Sequence, residues 1–148
     1  MTEMTLTRAQ CNDLRTIAGM MIPPSEEYNV PGADDAAVQA DMLKTLGRDT
    51  GQVAAALDHL ARLAGGPLAE LDKTKREAVV QQFRASGGAP AATLARVILQ
   101  CYYRDDRVLR SLGLELRAPF PLGHVLPDGD WSVLEPVKAR GGKLRGAN

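Results

Sequence analysis

The chain has 148 residues, the length of one ordinary domain with a single hydrophobic core. Its 18 Lys and Arg residues balance its 18 Asp and Glu residues, so no net charge draws it to nucleic acid or to an anionic membrane surface. Two cysteines, Cys11 and Cys101, are too few for a disulfide framework and are interpreted as buried free thiols, although a bridge between them stays open because sequence gives no Cβ separation.

The first two helices have clear start and stop signals. Thr7 begins a capping-box pattern, and apolar residues then recur at helical spacing until Pro23 ends the helix. The loop that follows leads to Asp34 and Asp35, either of which is suited to cap a second helix. Gly47 is expected to end that second helix.

Three more helices are predicted between Gly47 and the C-terminal arm. The third runs over residues 50–65, and the fourth is expected to begin at Pro67 and to carry an exposed ion pair between Asp72 and Arg76. The fifth begins at Pro90 and has the most apolar surface, which predicts that it is the central helix. Its core face is predicted to contain Leu94, Val97, Ile98, Cys101 and Tyr102.

The C-terminal arm, residues 113–148, has a different character. It contains four prolines and no amphipathic helix of convincing length, and an irregular segment of about 35 residues is unusual in a compact domain. Its apolar side chains, among them Phe120 and Trp131, argue against simple disorder because they need a surface to cover. We therefore predict an all-α fold, in which a compact bundle of about five helices over residues 1–112 precedes an extended, largely irregular arm that packs on the helices, on a partner, or on both.

No catalytic, cofactor-binding or metal-binding residue is predicted in the chain. His59 and His124 have no further His or Cys at metal-ligand spacing, and no glycine-rich loop has the pattern of a phosphate site. Adjacent acids such as Asp34 and Asp35 are interpreted as helix caps and solvated charges. His124 is interpreted as an ordinary residue of the arm, with contact to a partner or a bound substrate as the alternative.

Residues 102–107, Tyr-Tyr-Arg-Asp-Asp-Arg, form the densest cluster of aromatic and charged groups in the chain. Tyrosine and arginine are typical of interface hot spots, but the same residues can equally end a helix with a local network of ion pairs. The two interpretations carry the same weight from sequence. The predicted partner-binding residues are Tyr102, Tyr103, Arg104, Phe120, His124 and Trp131.

Two segments, which together cover about half of the chain, resemble the gluconate 2-dehydrogenase subunit 3 family, the small gamma-type subunit of membrane-associated FAD-dependent sugar and alcohol dehydrogenases. The first, residues 6–35, is LTRAQCNDLRTIAGMMIPPSEEYNVPGADD and is similar to the family's opening helix, its Ile-Pro stop and its Pro-Gly-Ala loop. The second, residues 102–145, begins YYRDDRVLRSLGLELRAPFP and is similar to the C-terminal segment of part of the family.

The resemblance implies a non-catalytic small subunit that binds a large flavoprotein of the glucose-methanol-choline (GMC) oxidoreductase type and assists its folding or maturation. FAD and the catalytic base would belong to the large subunit, and a cytochrome c-type protein would carry the electrons onward. Many family members begin with a twin-arginine export signal, which this sequence does not have. The expectation is therefore a cytoplasmic complex, or a periplasmic one if a signal was removed or the complex is exported by another route.

Other functions stay open from the residues themselves. One is a free-standing helical module that binds some other protein. The other is an enzyme in which His124 acts with Asp128 or Asp130. No partner is expected to be a nucleic acid, and no stretch approaches the roughly 20 consecutive apolar residues of a membrane span.

Overall fold

The structure, a computed structural model, describes residues 5–116, 123 and 127–141. The chain divides into two compact units, Met1–Leu116 and Arg117–Asn148. Over the described residues the regular secondary structure is helical, without a strand, and one isolated β-bridge closes the loop between Ser25 and Val30. The all-α fold predicted from the sequence is confirmed.

The first unit is a bundle of helices in which a long loop, residues 22–35, joins the first two and shorter connections join the others. The helices of its described part are α1 (Arg8–Met21), α2 (Ala36–Thr45), α3 (Thr50–Ala64), α4 (Lys73–Ser86), α5 (Gly88–Tyr102) and α6 (Asp106–Ser111). Two 3-10 turns, Gly47–Asp49 and Leu68–Glu70, lie before α3 and before α4. In the second unit, a 3-10 turn at Trp131–Leu134 runs directly into the short helix α7 (Glu135–Ala139). No helix in the described part of the chain is long and apolar enough to cross a membrane.

The core of the first unit lies around α3 and α5. These two helices pack on each other; α3 also packs on α1 and α4, and α5 also packs on α2 and α4. The predicted core face of α5 is buried throughout, with each of its five residues at most 5% exposed. The central position is nevertheless shared with α3, because its stripe of Val53, Ala56, Leu57 and Leu60 is fully buried as well.

Local signals fix several helix ends where the sequence predicts them. The Thr7 hydroxyl accepts from the Gln10 backbone N–H while the Gln10 side chain accepts from Thr7 N–H, which completes the capping box of α1. Asp35, rather than Asp34, caps α2 by accepting from Ala37 N–H at 2.9 Å. Gly65 ends α3 in the left-handed conformation, with φ of 71°.

The predicted start of the fourth helix at Pro67 is wrong. Residues Leu68–Glu70 form a separate 3-10 turn, and α4 begins only at Lys73. Asp72 caps α4, and a contact across the fold holds the turn before it: the buried carboxylate of Asp13 on α1 accepts from Leu68 N–H at 2.8 Å. This bond holds the turn in place as a separate element.

The predicted ion pair between Asp72 and Arg76 is also replaced by other contacts. Asp72 caps α4, where its carboxylate accepts from Lys75 N–H at 2.9 Å and pairs with the Lys75 ammonium at 3.2 Å. Arg76 turns back to donate to the Leu71 carbonyl at 2.8 Å. Both side chains therefore stabilise the junction between the 3-10 turn and α4.

The last two features of the first unit are the break between α5 and α6 and the state of the two cysteines. The chain leaves helical geometry after Tyr102, and Asp105 caps the separate helix α6 by accepting from Arg107 N–H at 2.9 Å. Cys101 is buried, Cys11 is half-buried, and both are free thiols. The disulfide that the sequence left open is therefore not formed.

Candidate protein-binding site

The two tyrosines at the end of α5 have different environments. Tyr102 is 4% exposed, and its hydroxyl donates to the Pro31 carbonyl at 3.0 Å. Burial raises the pKa of the Tyr102 hydroxyl. Tyr103 is 51% exposed and packs edge-on against the Tyr102 ring, with the ring centroids 5.3 Å apart. Of the two predicted partner-binding tyrosines, only Tyr103 presents its ring to solvent.

Arg104 is held against α2 by its own chain. Its guanidinium pairs with the Asp41 carboxylate and donates to the Thr45 hydroxyl at 2.6 Å and to the Cys101 sulfur at 3.4 Å. The hydrogen bond to Asp41 raises the pKa of the guanidinium further above its ordinary value. Arg104 thus fixes the turn after α5 to α2 while part of its side chain stays exposed.

Arg107 completes this arrangement from α6. Its guanidinium pairs with Asp35 at 2.8 Å and with Asp105 at 2.9 Å, so it joins the caps of α2 and α6. The hydrogen bonds to Arg107 lower the pKa of both carboxyl groups. Residues 102–107 therefore form the network of ion pairs that was one of their two interpretations, and this rigid turn presents Tyr103 on its surface.

The described part of the second unit carries an apolar surface formed by four side chains. Trp131 is 68% exposed and Val133 is 69% exposed, and Leu134 and Val137 are exposed as well. The Asp130 carboxylate accepts from Ser132 N–H at 3.0 Å, which begins the helical turn. Hydrogen bonds from the side chain and the backbone of Ser132 lower the pKa of that carboxyl. We call residues Trp131, Val133, Leu134 and Val137 the arm patch. The predicted partner contacts Phe120 and His124 lie outside the described residues.

A groove of about 650 Å³ lies between α1, α4 and α5. Its floor consists of core residues, and Met20, Met21 and Val80 lie along its sides. The α4 side of its rim carries three polar side chains, Glu77, Gln81 and Arg84. The sequence does not predict this groove, because its apolar lining residues have the helical spacing expected of core positions. Its one sequence signal is the run of small residues on α5, Gly88, Ala91, Ala92 and Ala95.

The other residues that could take part in chemistry make contacts that stabilise the fold. His59 is half-buried on α3, where Nε2 lies 2.9 Å from the Ser86 hydroxyl and the ring packs on Phe83. Within residues 5–116, 123 and 127–141, no three His, Cys, Asp or Glu side chains are grouped as metal ligands.

The chain matches no protein-family model, no curated protein and no solved structure.

Proposed function

We propose that the chain is the non-catalytic small subunit of a FAD-dependent, GMC-type sugar or alcohol dehydrogenase complex, in which it stabilises the large flavoprotein subunit. The observation that carries the proposal is the arm patch, which lies within the segment that resembles the family's C-terminal part. In this assignment FAD and the catalytic base belong to the large subunit, and a cytochrome c-type protein accepts its electrons. The chain itself supplies contact surface.

The arm patch has the chemistry of an interface anchor. Tryptophan combines a large apolar area with little conformational freedom, and it is enriched among the residues that dominate binding energy. Full burial of a Val or Leu side chain contributes about 1.5–3 kcal/mol. Four adjacent apolar side chains that remain exposed in the chain alone therefore gain several kcal/mol, on the order of 5, when a partner covers them.

Tyr103 is proposed as a second contact with the same partner. The network around Arg104 and Arg107 holds the turn that carries it, and the edge contact with Tyr102 orients its ring. A side chain that is already ordered loses little entropy when it binds. We therefore expect Tyr103→Ala to weaken the complex while costing the chain itself only about 0.5–1.5 kcal/mol, the value of the lost aromatic edge contact.

The proposal expects a gene for a large flavin-binding protein beside the gene for this chain, and its test is co-expression of the full chain with that protein. The proposal predicts a stable complex with an interface well over roughly 2,000 Å², the size class of permanent assemblies. It also predicts that the large subunit yields more FAD-loaded protein with this chain than without it. The proposal is contradicted if the chain is monodisperse, does not bind the flavoprotein, and leaves flavin loading the same in cultures with and without it.

A free-standing helical module that binds some other protein is the second candidate, because the arm patch equally suits it. The two candidates differ in which protein co-purifies with the full chain. Purification from the native host, with Trp131→Ala as the matched negative control, distinguishes them. Recovery of a protein unrelated to flavin chemistry, lost in the Trp131→Ala variant, favours the second candidate.

A further inference from the structure

The groove between α1, α4 and α5 has the shape and lining of a helix-binding site. Its floor is formed by side chains that are at most 6% exposed, Ile17, Phe83, Leu94 and Ile98. Its volume of about 650 Å³ would also hold a small molecule, but such sites place polar groups to orient their ligand. Here the polar lining residues, Glu77, Gln81 and Arg84, follow one another along α4, which suits an elongated occupant better.

The α5 side of the groove permits close approach of a second backbone. Gly88, Ala91, Ala92 and Ala95 present no side chain larger than a methyl group. The turn that leads into α5 is itself tight, because a Cβ on Gly87 would lie 2.8 Å from the Phe83 carbonyl oxygen. Gly88 then begins α5 in the left-handed conformation, with φ of 55°.

The charges on the rim specify the occupant. Glu77 and Arg84 are exposed, and neither side chain forms a hydrogen bond or ion pair with any residue that the structure describes. They are seven residues apart on α4, which is two helical turns or about 10 Å. A neighbouring helix presents side chains with the same seven-residue spacing, so one basic and one acidic residue on its flank would pair with both.

We propose that this groove binds an amphipathic helix of a protein partner, with its apolar face in the groove and one basic and one acidic side chain paired with Glu77 and Arg84. Recognition of this kind uses apolar anchors at i, i+3, i+4 and i+7. Assignment of that helix to the large flavoprotein rests on the proposed function. The binding chemistry of the groove stands without it.

The probes are acetylated and amidated helical peptides of about 15 residues, long enough for helix formation on binding. Each carries Leu at i, i+3, i+4 and i+7 and two charged residues seven positions apart on one flank. The mixed peptide has one Lys and one Glu, and it is made in both orders because the direction of the bound helix decides which order places Lys beside Glu77. The control peptide has Glu at both positions.

Methyl resonances of methionine report on binding to the full chain. Met20 and Met21 line the groove, whereas Met42 is completely buried elsewhere in the core and serves as the internal control. One mixed peptide is expected to shift the methyl resonances of Met20 and Met21 and to leave that of Met42 unchanged. It should bind about two- to fivefold more tightly than the peptide with two Glu, the range for exposed ion pairs.

Two variants test the site itself. Glu77→Arg makes both rim charges basic, so this variant should bind the peptide with two Glu more tightly than the mixed peptide, the reverse of the wild-type order. Ala92→Trp fills the groove and should abolish peptide binding, whereas Ala55→Trp, at an exposed position of α3 outside the groove, should leave it unchanged. An unchanged preference in Glu77→Arg, or equal loss in both Trp variants, overturns the proposal.

The remaining outcomes identify other occupants and also overturn the proposal. Shifts of Met20 and Met21 with protein concentration alone would assign the groove to a second copy of the chain. Shifts produced by decanoate, with none from the peptides, would assign it to a small apolar ligand. The peptide titrations contain no flavoprotein, so their failure does not affect the co-expression test of the proposed function. Failure of the co-expression test likewise does not affect the peptide titrations.

Discussion

The buried carboxylate of Asp13 gives a test of how α1 is held to the rest of the first unit. Asp13 is 3% exposed, and its Oδ1 accepts a hydrogen bond from Leu68 N–H at 2.8 Å. Asp13→Ala leaves that N–H without its acceptor in a buried position, which costs about 1–3 kcal/mol. Asp13→Asn keeps an oxygen acceptor of the same size, so it should retain most of the lost stability.

The two variants also differ in their response to pH. Burial raises the pKa of Asp13 above its ordinary 3.8, so the folded chain binds a proton there more readily than the unfolded chain does. As the pH rises from 3.8 through the raised value, the wild-type chain therefore loses stability at this site. Asp13→Asn has no such titration, so its free energy of unfolding should rise relative to wild type between pH 4 and pH 7.

Urea unfolding at both pH values, followed by far-UV circular dichroism, measures these differences. Unchanged stability of Asp13→Ala would refute the assigned role of the Leu68 bond. A difference between Asp13→Asn and wild type that stays constant from pH 4 to pH 7 would refute the effect of burial on the carboxyl.

Three further variants test other contacts by the same unfolding assay. Gly87→Ala should lower the free energy of unfolding by about 1–3 kcal/mol, because its Cβ would crowd the Phe83 carbonyl; equal stability would contradict the tight turn. Tyr102→Phe should cost about 1 kcal/mol through loss of the bond to Pro31, and no loss would show that this bond contributes nothing. Arg107→Ala should cost about 1 kcal/mol at most at pH 7. That cost should shrink as the pH falls below 3.8 and its two carboxylate partners are protonated, and a cost that stays constant on acidification would refute the pairing.

The helix ends that sequence analysis placed correctly depend on local chemistry. The capping box at Thr7, the cap at Asp35 and the left-handed glycine at Gly65 involve residues a few positions apart. The true start of α4 has a local signal, the cap by Asp72, but Pro67 offers a competing one five residues earlier. The bond between Asp13 and Leu68, which are 55 positions apart, holds the intervening residues in a separate turn, and no local pattern contains that contact.

The candidate site was only partly accessible to sequence analysis for the same reason. The cluster at residues 102–107 was identified, but the burial of Tyr102 and the exposure of Tyr103 depend on how α5 packs against the loop at Pro31. The groove requires three helices to be placed together before its free volume exists. The sequence marks Trp131 only by its large apolar side chain, and its exposure of 68% depends on how the arm folds.

The most direct test of the proposed function is the affinity of the full chain for the large flavoprotein of the proposed complex, measured by titration calorimetry with two matched variants. Trp131 and Tyr28 are similarly exposed aromatic residues, at 68% and 63%, but only Trp131 belongs to the arm patch. The proposed function predicts that Trp131→Ala weakens binding by about 2 kcal/mol or more, roughly 30-fold, and that Tyr28→Ala has little effect. Equal affinities of wild type and Trp131→Ala, or no binding by wild type, would contradict it.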